Sequence, residues 1–386
     1  TFSNCTIDPQ TSYIYTDYAN VDFEKCTFKC SEGKGVQVYN DANTSETVIN
    51  VTDCSFTAAK QGATWDGKPV TAIDINSNGE IFTVNINNTT ATGFPEGLVS
   101  GETLFNIKGG AENVKVVVDG LEWIRKGAWR DADDNAVVYS SDALQYALDA
   151  NMNVILGCDI AGNVVATQKA DVKIVINGNG KNYNGMITVD GKSATYTTAG
   201  LTVKNLTFNA TTISGDACIR LGDGTNGTRY TCNVTVDGCT FDVPGAVGVK
   251  SYTGGDKNLV ITGCTATVNA HSLIQAKGID NILVEKCTVN SKNGMNFNNS
   301  VNVTINECNA DVKGYAARFG EGSATNGAAE VYTIKNSTLK SACEDGDAVI
   351  ILRGTADNST LTIESTTLEG TTKITNNAVN AKVIEK

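Results

Sequence analysis

The sequence predicts an all-β chain in which short parallel strands stack as the coils of a solenoid. Nearly the same phrase recurs, as CNVTVDGCTFDV at 232–243, NLVITGCTATV at 258–268, NILVEKCTVNS at 281–291 and NVTINECNADV at 302–312. Within each phrase apolar and polar residues alternate, as in a strand with one buried face. Apart from one larger gap, successive phrases are 21 to 35 residues apart, which is a typical solenoid repeat length.

Each phrase also places one small or apolar residue in the same position, which we call the slot. The slots are Cys5, Cys26, Cys54, Thr89, Leu121, Leu206, Cys239, Cys264, Cys287, Cys308, Ser337 and Thr366. A two-residue polar corner precedes the slot, so Val234 and Val236 face the interior before it and Cys239 and Phe241 face it after. We expect the slot cysteine to be buried as a small hydrophobe, with its equivalents about 4.8 Å away in neighbouring coils.

The twelve cysteines are predicted to be free buried thiols and not a disulfide framework. Stacked equivalents have parallel Cα–Cβ bonds, so their Cβ atoms stay about 4.8 Å apart, beyond the ~3.8 Å usual for a disulfide. Cys26 with Cys30, and Cys218 with Cys232, are the pairs best placed to form a bridge instead. With His271 as the single histidine and no CxxC pair, no metal site is predicted.

Composition limits the classes of partner. The 386 residues are 41% hydrophobic and 19% charged, with a formal net charge of −12. The composition is that of a globular protein, and the negative charge disfavours binding to nucleic acid or anionic lipid. No apolar run approaches the roughly 20 residues that a membrane-spanning helix needs, so no transmembrane segment is predicted.

The pattern along the chain predicts two stacks. Residues 1–128 are interpreted as the C-terminal coils of a first solenoid, 129–138 as a linker, and 139–386 as a second solenoid. A capping helix at about 141–150 would begin at Ser141 and Asp142 and present an apolar face. Such a helix would cover the apolar end and the unpaired strand edges of the stack. One continuous stack with the helix inserted at its side remains an alternative.

The phrases NVTVDGCTF, NLVITGCTA and NVTINECNA, with VINGNGKNYNG and SSDALQYALDANMNVIL, resemble right-handed parallel β-helix proteins of the pectin-lyase-like superfamily. The resemblance covers nearly the whole chain and implies a right-handed parallel β-helix of about a dozen coils. It implies no single activity, because that superfamily includes lyases, glycosidases, phage tailspikes and adhesins.

A second strand follows each slot by about ten residues and predicts a row of solvent-facing polar side chains. The row is expected to contain Arg220, Lys250, Gln275 and Asn298, continued by Arg318 and Arg353. Tyr252, Tyr315 and Phe319 lie nearby as platforms for sugar rings. Because cationic side chains suit uronate carboxylates, we predict a ligand-binding face for a polysaccharide or glycan surface. The alternative is a solvated face whose charges prevent edge-to-edge pairing.

The resemblance also allows a comparison with polygalacturonase-type glycosidases, whose motif is roughly G-D-D-C-I-A. In the phrase SGDACIRL, Asp216 matches the first aspartate but Ala217 replaces the second. The Asn-Thr-Asp, His-Gly and Arg-Ile-Lys motifs of those enzymes have no counterpart at matching places. Glycoside hydrolysis needs two carboxylates about 5–9.5 Å apart, so this activity is disfavoured.

A pectate-type lyase would need clustered carboxylates for Ca²⁺ and an arginine or lysine base. Asp216, Arg220, Lys250 and Arg318 are weak catalytic candidates for such a reaction. No three carboxylates converge on adjacent coils in the sequence alignment. No cofactor is therefore predicted, and Ca²⁺ would be required only if the protein were a lyase.

The leading interpretation is a non-catalytic extracellular or cell-surface protein, adhesin-like or carbohydrate-binding. The first alternative is a polysaccharide-active enzyme, with a uronate lyase favoured over a glycoside hydrolase. The second alternative is a structural protein of the phage fibre or tailspike type. The sequence predicts no oligomeric state and no ligand identity.

Overall fold

The computed structural model shows an all-β chain with long stacks of parallel strands and one short α-helix, which confirms the predicted parallel β-helix. The chain divides into two compact units, residues 1–136 and 137–386. The structure describes residues 1–8, 14–17, 20–31, 35–40, 46–59, 64–65, 68–77, 82–94, 104–109, 113–125, 127–191, 198–210, 213, 216–222, 231–251, 256–320 and 330–386.

In the second unit each coil contributes one strand to each of three parallel sheets. Sheet 1 precedes the slot and contains Val154–Leu156, Lys173–Asn177, Gly200–Lys204, Asn233–Asp237, Asp256–Thr262, Ile279–Glu285, Asn302–Asn306, Val331–Lys335, Thr360–Glu364 and Lys382–Glu385. Sheet 2 follows the slot and contains Ile160–Ala161, Asn182–Asn184, Thr207–Phe208, Thr240–Phe241, Thr265–Ala266, Thr288–Val289, Asn309–Val312, Thr338–Ser341 and Thr367–Glu369. Sheet 3 contains Val164–Gln168, Ile187–Gly191, Ala217–Leu221, Val247–Ser251, Ser272–Lys277, Met295–Asn298, Ala317–Phe319, Ile350–Leu352 and Ile374–Asn376.

The core of the second unit is built from columns of equivalent side chains in successive coils. In sheet 1, Val234 pairs with Leu259, which pairs with Ile282, and all three side chains are buried. Aromatic rings stack in the same way, as Phe208 and Phe241 do with ring centroids 5.5 Å apart. A single coil cannot bury its apolar face, so each coil is stabilised by the coils on either side of it.

The predicted capping helix extends over Ser141–Asp149, with the Ser140 side chain accepting a hydrogen bond from the Ala143 backbone N–H. Its buried face is formed by Ala143, Leu144, Ala147 and Leu148. Gln145 reaches the first strand of sheet 3, where it accepts from the Val165 N–H at 2.8 Å and donates to the Val165 carbonyl at 3.0 Å. The helix therefore satisfies backbone groups that an edge strand would otherwise leave unpaired.

The first unit repeats the three-sheet arrangement with fewer coils. Its sheet 1 contains Phe2–Ser3, Val21–Glu24, Thr47–Thr52, Phe82–Asn87 and Val114–Val118; its sheet 2 contains Thr6–Ile7, Thr27–Cys30, Ser55–Ala58 and Thr90–Thr92; its sheet 3 contains Ile14–Asp17, Val36–Asn40, Ile73–Ser77 and Phe105–Gly109. Thr64–Trp65 and Lys68–Pro69 form a separate antiparallel pair. The strand Ala136–Val138 spans the boundary between the units.

One predicted slot is wrong. Leu121 does not follow a solenoid corner: its strand, Leu121–Arg125, turns back and pairs antiparallel with Val114–Val118. A third strand, Ala128–Arg130, pairs antiparallel with Leu121–Arg125 and includes the first residues of the segment predicted as a linker. The reason is the turn at Asp119 and Gly120, both with positive φ (48° and 85°), a pair typical of tight hairpin turns.

The corner before each remaining slot adopts the same backbone conformation. The residue immediately preceding the slot is left-handed in every coil, with φ between 46° and 60°; these residues are Asn4, Lys25, Asp53, Asn88, Asn205, Gly238, Gly263, Lys286, Glu307, Asn336 and Ser365. Glycine and asparagine adopt this conformation readily, whereas lysine, glutamate and serine do so at a cost of about 1–2 kcal/mol. The polar turn formers in the repeated phrase are therefore a backbone requirement.

The slot side chain has a hydrogen-bonding role beyond its small size. Ser337 accepts from the Cys308 N–H of the preceding coil at 3.1 Å and donates to the Lys335 carbonyl at 2.8 Å. Cys54 makes the same two contacts, with the Cys26 N–H at 3.4 Å and the Thr52 carbonyl at 3.2 Å. A thiol or hydroxyl thus links a backbone donor in one coil to a backbone acceptor in the next. This explains why Cys, Ser and Thr can replace one another in the slot.

All twelve cysteines are free thiols, including the pairs Cys26 with Cys30 and Cys218 with Cys232. Nine are buried, while Cys5, Cys158 and Cys343 are partly exposed. Burial raises the pKa of Cys30 to about 12, so its thiolate fraction at neutral pH is negligible and the thiol is unreactive.

The part of the chain that the structure describes contains no helix with the length and hydrophobicity needed to span a membrane.

We predict that Lys286→Asn stabilises the second unit. The exposed Lys286 has φ of 55°, and asparagine tolerates this conformation better, so the free energy of unfolding should rise by roughly 0.5–1 kcal/mol. Denaturant unfolding followed by circular dichroism measures the change. Lys173→Asn, in an ordinary exposed strand position, is the control and should give no gain; equal gains in both variants would contradict the corner requirement.

We further predict that Ser337→Ala destabilises the second unit by about 1–3 kcal/mol, because the buried Cys308 N–H loses its acceptor. Ser337→Cys restores a group that can accept and donate, and should recover most of the loss. The exposed neighbour Thr338 provides the control variant Thr338→Ala. Equal unfolding midpoints for Ser337→Ala and Thr338→Ala would show that the slot hydrogen bond has no energetic role.

Candidate functional site

A row of polar side chains crosses the outer face of sheet 3 in the second unit. Strand register pairs Arg220 with Lys250, Lys250 with Gln275, Gln275 with Asn296 and Asn296 with Arg318. We call these five residues the polar row. Their neighbours in each strand, such as Ile219, Val249 and Ile274, are buried in the core, so the alternation of the strand directs the polar row away from it.

Two residues predicted to belong to this row do not. Asn298 pairs with Lys277, two positions further along the strand, and Asn296 takes the expected place beside Gln275. Arg353 lies beyond the strand Ile350–Leu352, and Ile351 is the residue that pairs with Arg318. Both errors have the same cause: the loops before these strands differ in length, which shifts the register by two residues and leaves the inward–outward alternation intact.

Arg318 is the most constrained cation of the row. Its Nε donates to Asn296 Oδ1 at 3.1 Å, and its guanidinium carbon lies 4.2 Å from the centre of the Tyr315 ring. Burial lowers the pKa of Arg318 from its ordinary value, as does the nearby Arg353, while Tyr315 and Asp347 act in the opposite direction. Arginine remains charged at physiological pH despite such a shift, so the row keeps a fixed, pre-oriented cation.

The predicted aromatic platforms are not open surfaces. Tyr315 is only 2% exposed and lies under Arg318, and Phe319 is fully buried. Burial raises the pKa of the Tyr315 phenol above its ordinary value. Tyr252 lies outside the described residues. Stacking of a sugar ring on Tyr315 or Phe319 would require their displacement from the core, so these two rings are not platforms for a sugar.

Arg220, at the other end of the row, is engaged in an ion pair. Its Nη1 lies 3.3 Å from Asp216 Oδ2, and its Nε donates to the Gly222 carbonyl at 3.3 Å. Asp216 therefore balances the charge of Arg220. Lys250, Gln275, Asn296 and Arg318 continue the row on the coils that follow.

His271 lies beside the centre of the row, although its repeat phrase gave no sign of a site. Its Nδ1 is 3.3 Å from both Ser272 Oγ and Gln275 Nε2, and its Nε2 is 3.4 Å from Asn293 Nδ2. Burial lowers the pKa of His271 below its ordinary value, and Lys292, Arg318 and Lys250 add to the effect. The imidazole is therefore held in its neutral form near pH 7.

A groove of about 370 Å³ adjoins this histidine along the turns between sheets 2 and 3. We call it the turn groove. Its charged and polar lining includes Asn269, His271, Asn290, Lys292, Lys313 and Glu344, and Val268 at its edge is 76% exposed. His271 belongs both to the lining of the groove and to the surroundings of the polar row, which makes these two features one continuous surface.

The equivalent face of the first unit is different. Its sheet 3 aligns Gln37, Asp74 and Asn106 in one outward row, but all three are buried, with at most 5% exposure. Asp74 Oδ1 accepts from the Thr71 N–H and hydroxyl, both at 3.3 Å. This row contains a carboxylate and no cation, so these three residues do not suit an anionic ligand.

No group of three or more His, Cys, Asp or Glu side chains that could hold a metal ion occurs in the part of the chain that the structure describes.

The sequence prediction missed Asn296, His271 and Lys292. Asn296 lies on the same strand as Asn298, two positions before it, and only the strand register shows that it is the residue beside Gln275. His271 and Lys292 lie in turns, where strand alternation does not predict the direction of a side chain.

The sequence was also compared with known proteins. No protein-family model matches the chain, and no curated protein shows significant similarity to it.

Proposed function

We propose that this protein is a non-catalytic, extracellular or cell-surface β-helix that binds acidic glycans through the polar row of its second unit. The proposal also places the chain with right-handed parallel β-helix proteins of the pectin-lyase-like type, on the basis of its repeated phrases. The observation that carries the functional proposal is the alignment of Arg220, Lys250, Gln275, Asn296 and Arg318 on consecutive coils.

The spacing of the row suits an extended ligand. Equivalent side chains on adjacent strands are about 4.8 Å apart, so the row presents hydrogen-bond donors at regular intervals along the solenoid. Arg318 offers a fork of donors that matches a carboxylate or sulfate, and Lys250 offers a point charge. A chain with an acidic group on each repeating unit would meet several donors together.

Charge distribution supports selectivity for anions. The chain has a net charge of −12, yet Lys250, Lys292 and Arg318 all lie near enough to His271 to lower its pKa. A local positive patch on an acidic protein attracts anionic ligands only over short distances at physiological salt, because the Debye length is about 8 Å. Binding should therefore depend on docking at the row and weaken as salt increases.

The lyase alternative rests on the same cations. Asp216, Arg220, Lys250 and Arg318 were its candidates, and the Asp216–Arg220 ion pair engages two of them with each other. Incubation with uronate polysaccharides and Ca²⁺, monitored by the absorbance of unsaturated products, separates the two functions. Steady product formation would replace the non-catalytic proposal with a lyase.

We predict that Lys250→Gln weakens binding of an acidic oligosaccharide by about 10-fold or more, since a hydrogen bond to a charged group contributes about 1.5–3 kcal/mol. Calorimetric titration with oligogalacturonate at two salt concentrations provides the measurement. Lys340→Gln removes the same charge on sheet 2, where Lys340 pairs with Asp311 at 3.4 Å, and should leave affinity unchanged. Equal affinities for both variants, or equal binding of a neutral oligosaccharide, would refute the proposed face.

A further inference from the structure

We infer that anion binding at this surface is proton-linked, with His271 taking up a proton when a carboxylate or sulfate group binds among Lys250, Lys292 and Arg318. This inference rests on the proposed function and adds a regulatory property to it: affinity for acidic glycans increases as pH falls. The site is assembled from four coils, because the groups around His271 come from the coil before it, its own coil and the two coils after it.

The hydrogen-bond partners of His271 accommodate both protonation states. Gln275 Nε2 and Asn293 Nδ2 lie 3.3 Å and 3.4 Å from the two ring nitrogens. A side-chain amide donates through nitrogen and accepts through oxygen, so a rotation of about 180° converts each donor into an acceptor. Ser272, at 3.3 Å from Nδ1, can likewise donate or accept. Protonation therefore leaves no ring nitrogen without a partner.

The charged groups around the ring determine which state is populated. Lys250 from the preceding coil, and Lys292 and Arg318 from the following coils, oppose a further positive charge, and burial opposes it as well. Lys313 and Glu344 line the turn groove beyond these groups. Two carboxylates lie nearby: Asp242, whose Oδ1 accepts from Asn269 at 2.8 Å, and Asp347, which acts on Arg318 and Tyr315. Burial and the three cations nevertheless lower the pKa of His271, which favours the neutral imidazole in the free protein.

An anion changes this balance. A bound carboxylate or sulfate offsets the repulsion from the cations and favours the charged imidazole. By thermodynamic linkage, a ligand that raises the pKa of His271 must bind more tightly to the protonated protein. The sign is fixed: affinity is lower above the pKa of the complex, rises as pH falls towards the pKa of the free protein, and levels off below it.

The single histidine makes the test direct. The imidazole Hε1 signal is followed by NMR between pH 4.5 and 8 in sodium chloride, then at matched ionic strength with inorganic sulfate, and then with an oligogalacturonate. The expected result is a pKa below the ordinary value in chloride and an increase of about one unit with either anion, which corresponds to about 10-fold tighter binding of the protonated protein. Parallel titrations with an oligogalacturonate and with a sulfated oligosaccharide identify whether the site prefers carboxylate or sulfate groups.

Variants assign the effect to this site. His271→Gln, which mimics the neutral ring, should bind oligogalacturonate equally at pH 7.5 and pH 5, without the gain in affinity that the wild type shows at pH 5. Lys292→Gln should raise the pKa of His271 in the free protein, because one repelling cation is removed. Lys340→Gln, on sheet 2, should leave that pKa unchanged. Circular dichroism at both pH values verifies that each variant is folded.

The outcomes separate the inference from the proposed function. If oligogalacturonate binds but the pKa of His271 does not rise, or if His271→Gln keeps the wild-type pH profile, the proton linkage is wrong and the binding face stands. If inorganic sulfate raises the pKa while no oligosaccharide binds, the proton-linked anion site stands and glycan binding is wrong. If neither anion has an effect, both are wrong.

Discussion

The whole architecture depends on one repeated backbone constraint, the left-handed corner before the slot. Where the slot holds serine, threonine or cysteine, its side chain also hydrogen-bonds to the backbone. The corner residue, such as Lys286 with φ of 55°, turns the chain from sheet 1 into sheet 2. The slot side chain then binds the backbone of neighbouring coils, as Ser337 does with Cys308. The left-handed corner recurs in each coil from Gly200–Lys204 to Thr360–Glu364, so sheets 1 and 2 are joined in the same way in these coils.

Regular stacking of the coils also aligns surface side chains into rows. A polar residue on one coil is an ordinary surface residue, but its alignment with equivalents on adjacent strands produces an array about 4.8 Å in spacing. The polar row on sheet 3 arises in this way, and the asparagine ladder on sheet 1, where Asn281 donates to Asn258 at 2.9 Å and Asn302 donates to Asn281 at 2.9 Å, is a second example. The asparagines of the ladder hydrogen-bond to one another, whereas the cations of the polar row cannot.

That difference explains why the row, and not the ladder, is the candidate site. Amides donate and accept, so stacked asparagines satisfy each other. Lysine and arginine only donate, so their alignment requires acceptors from elsewhere: Asp216 for Arg220 and Asn296 for Arg318. In our proposal an anionic ligand supplies further acceptors. Burial, together with the positive charges of Lys292, Arg318 and Lys250, lowers the pKa of His271 and favours its neutral state.

The sequence by itself determined the parallel solenoid, the position of the helix over Ser141–Asp149 and the burial of the slot cysteines other than Cys5, because these depend on period-2 alternation and corner chemistry within one coil. Tertiary structure alone decided that Asn296 replaces Asn298 in the row, that Arg353 lies outside it and that Leu121 starts an antiparallel strand. It also brought His271 next to Asn293. The physical reason is that neighbours across coils are set by loop length and strand register, which alternation within a strand does not encode.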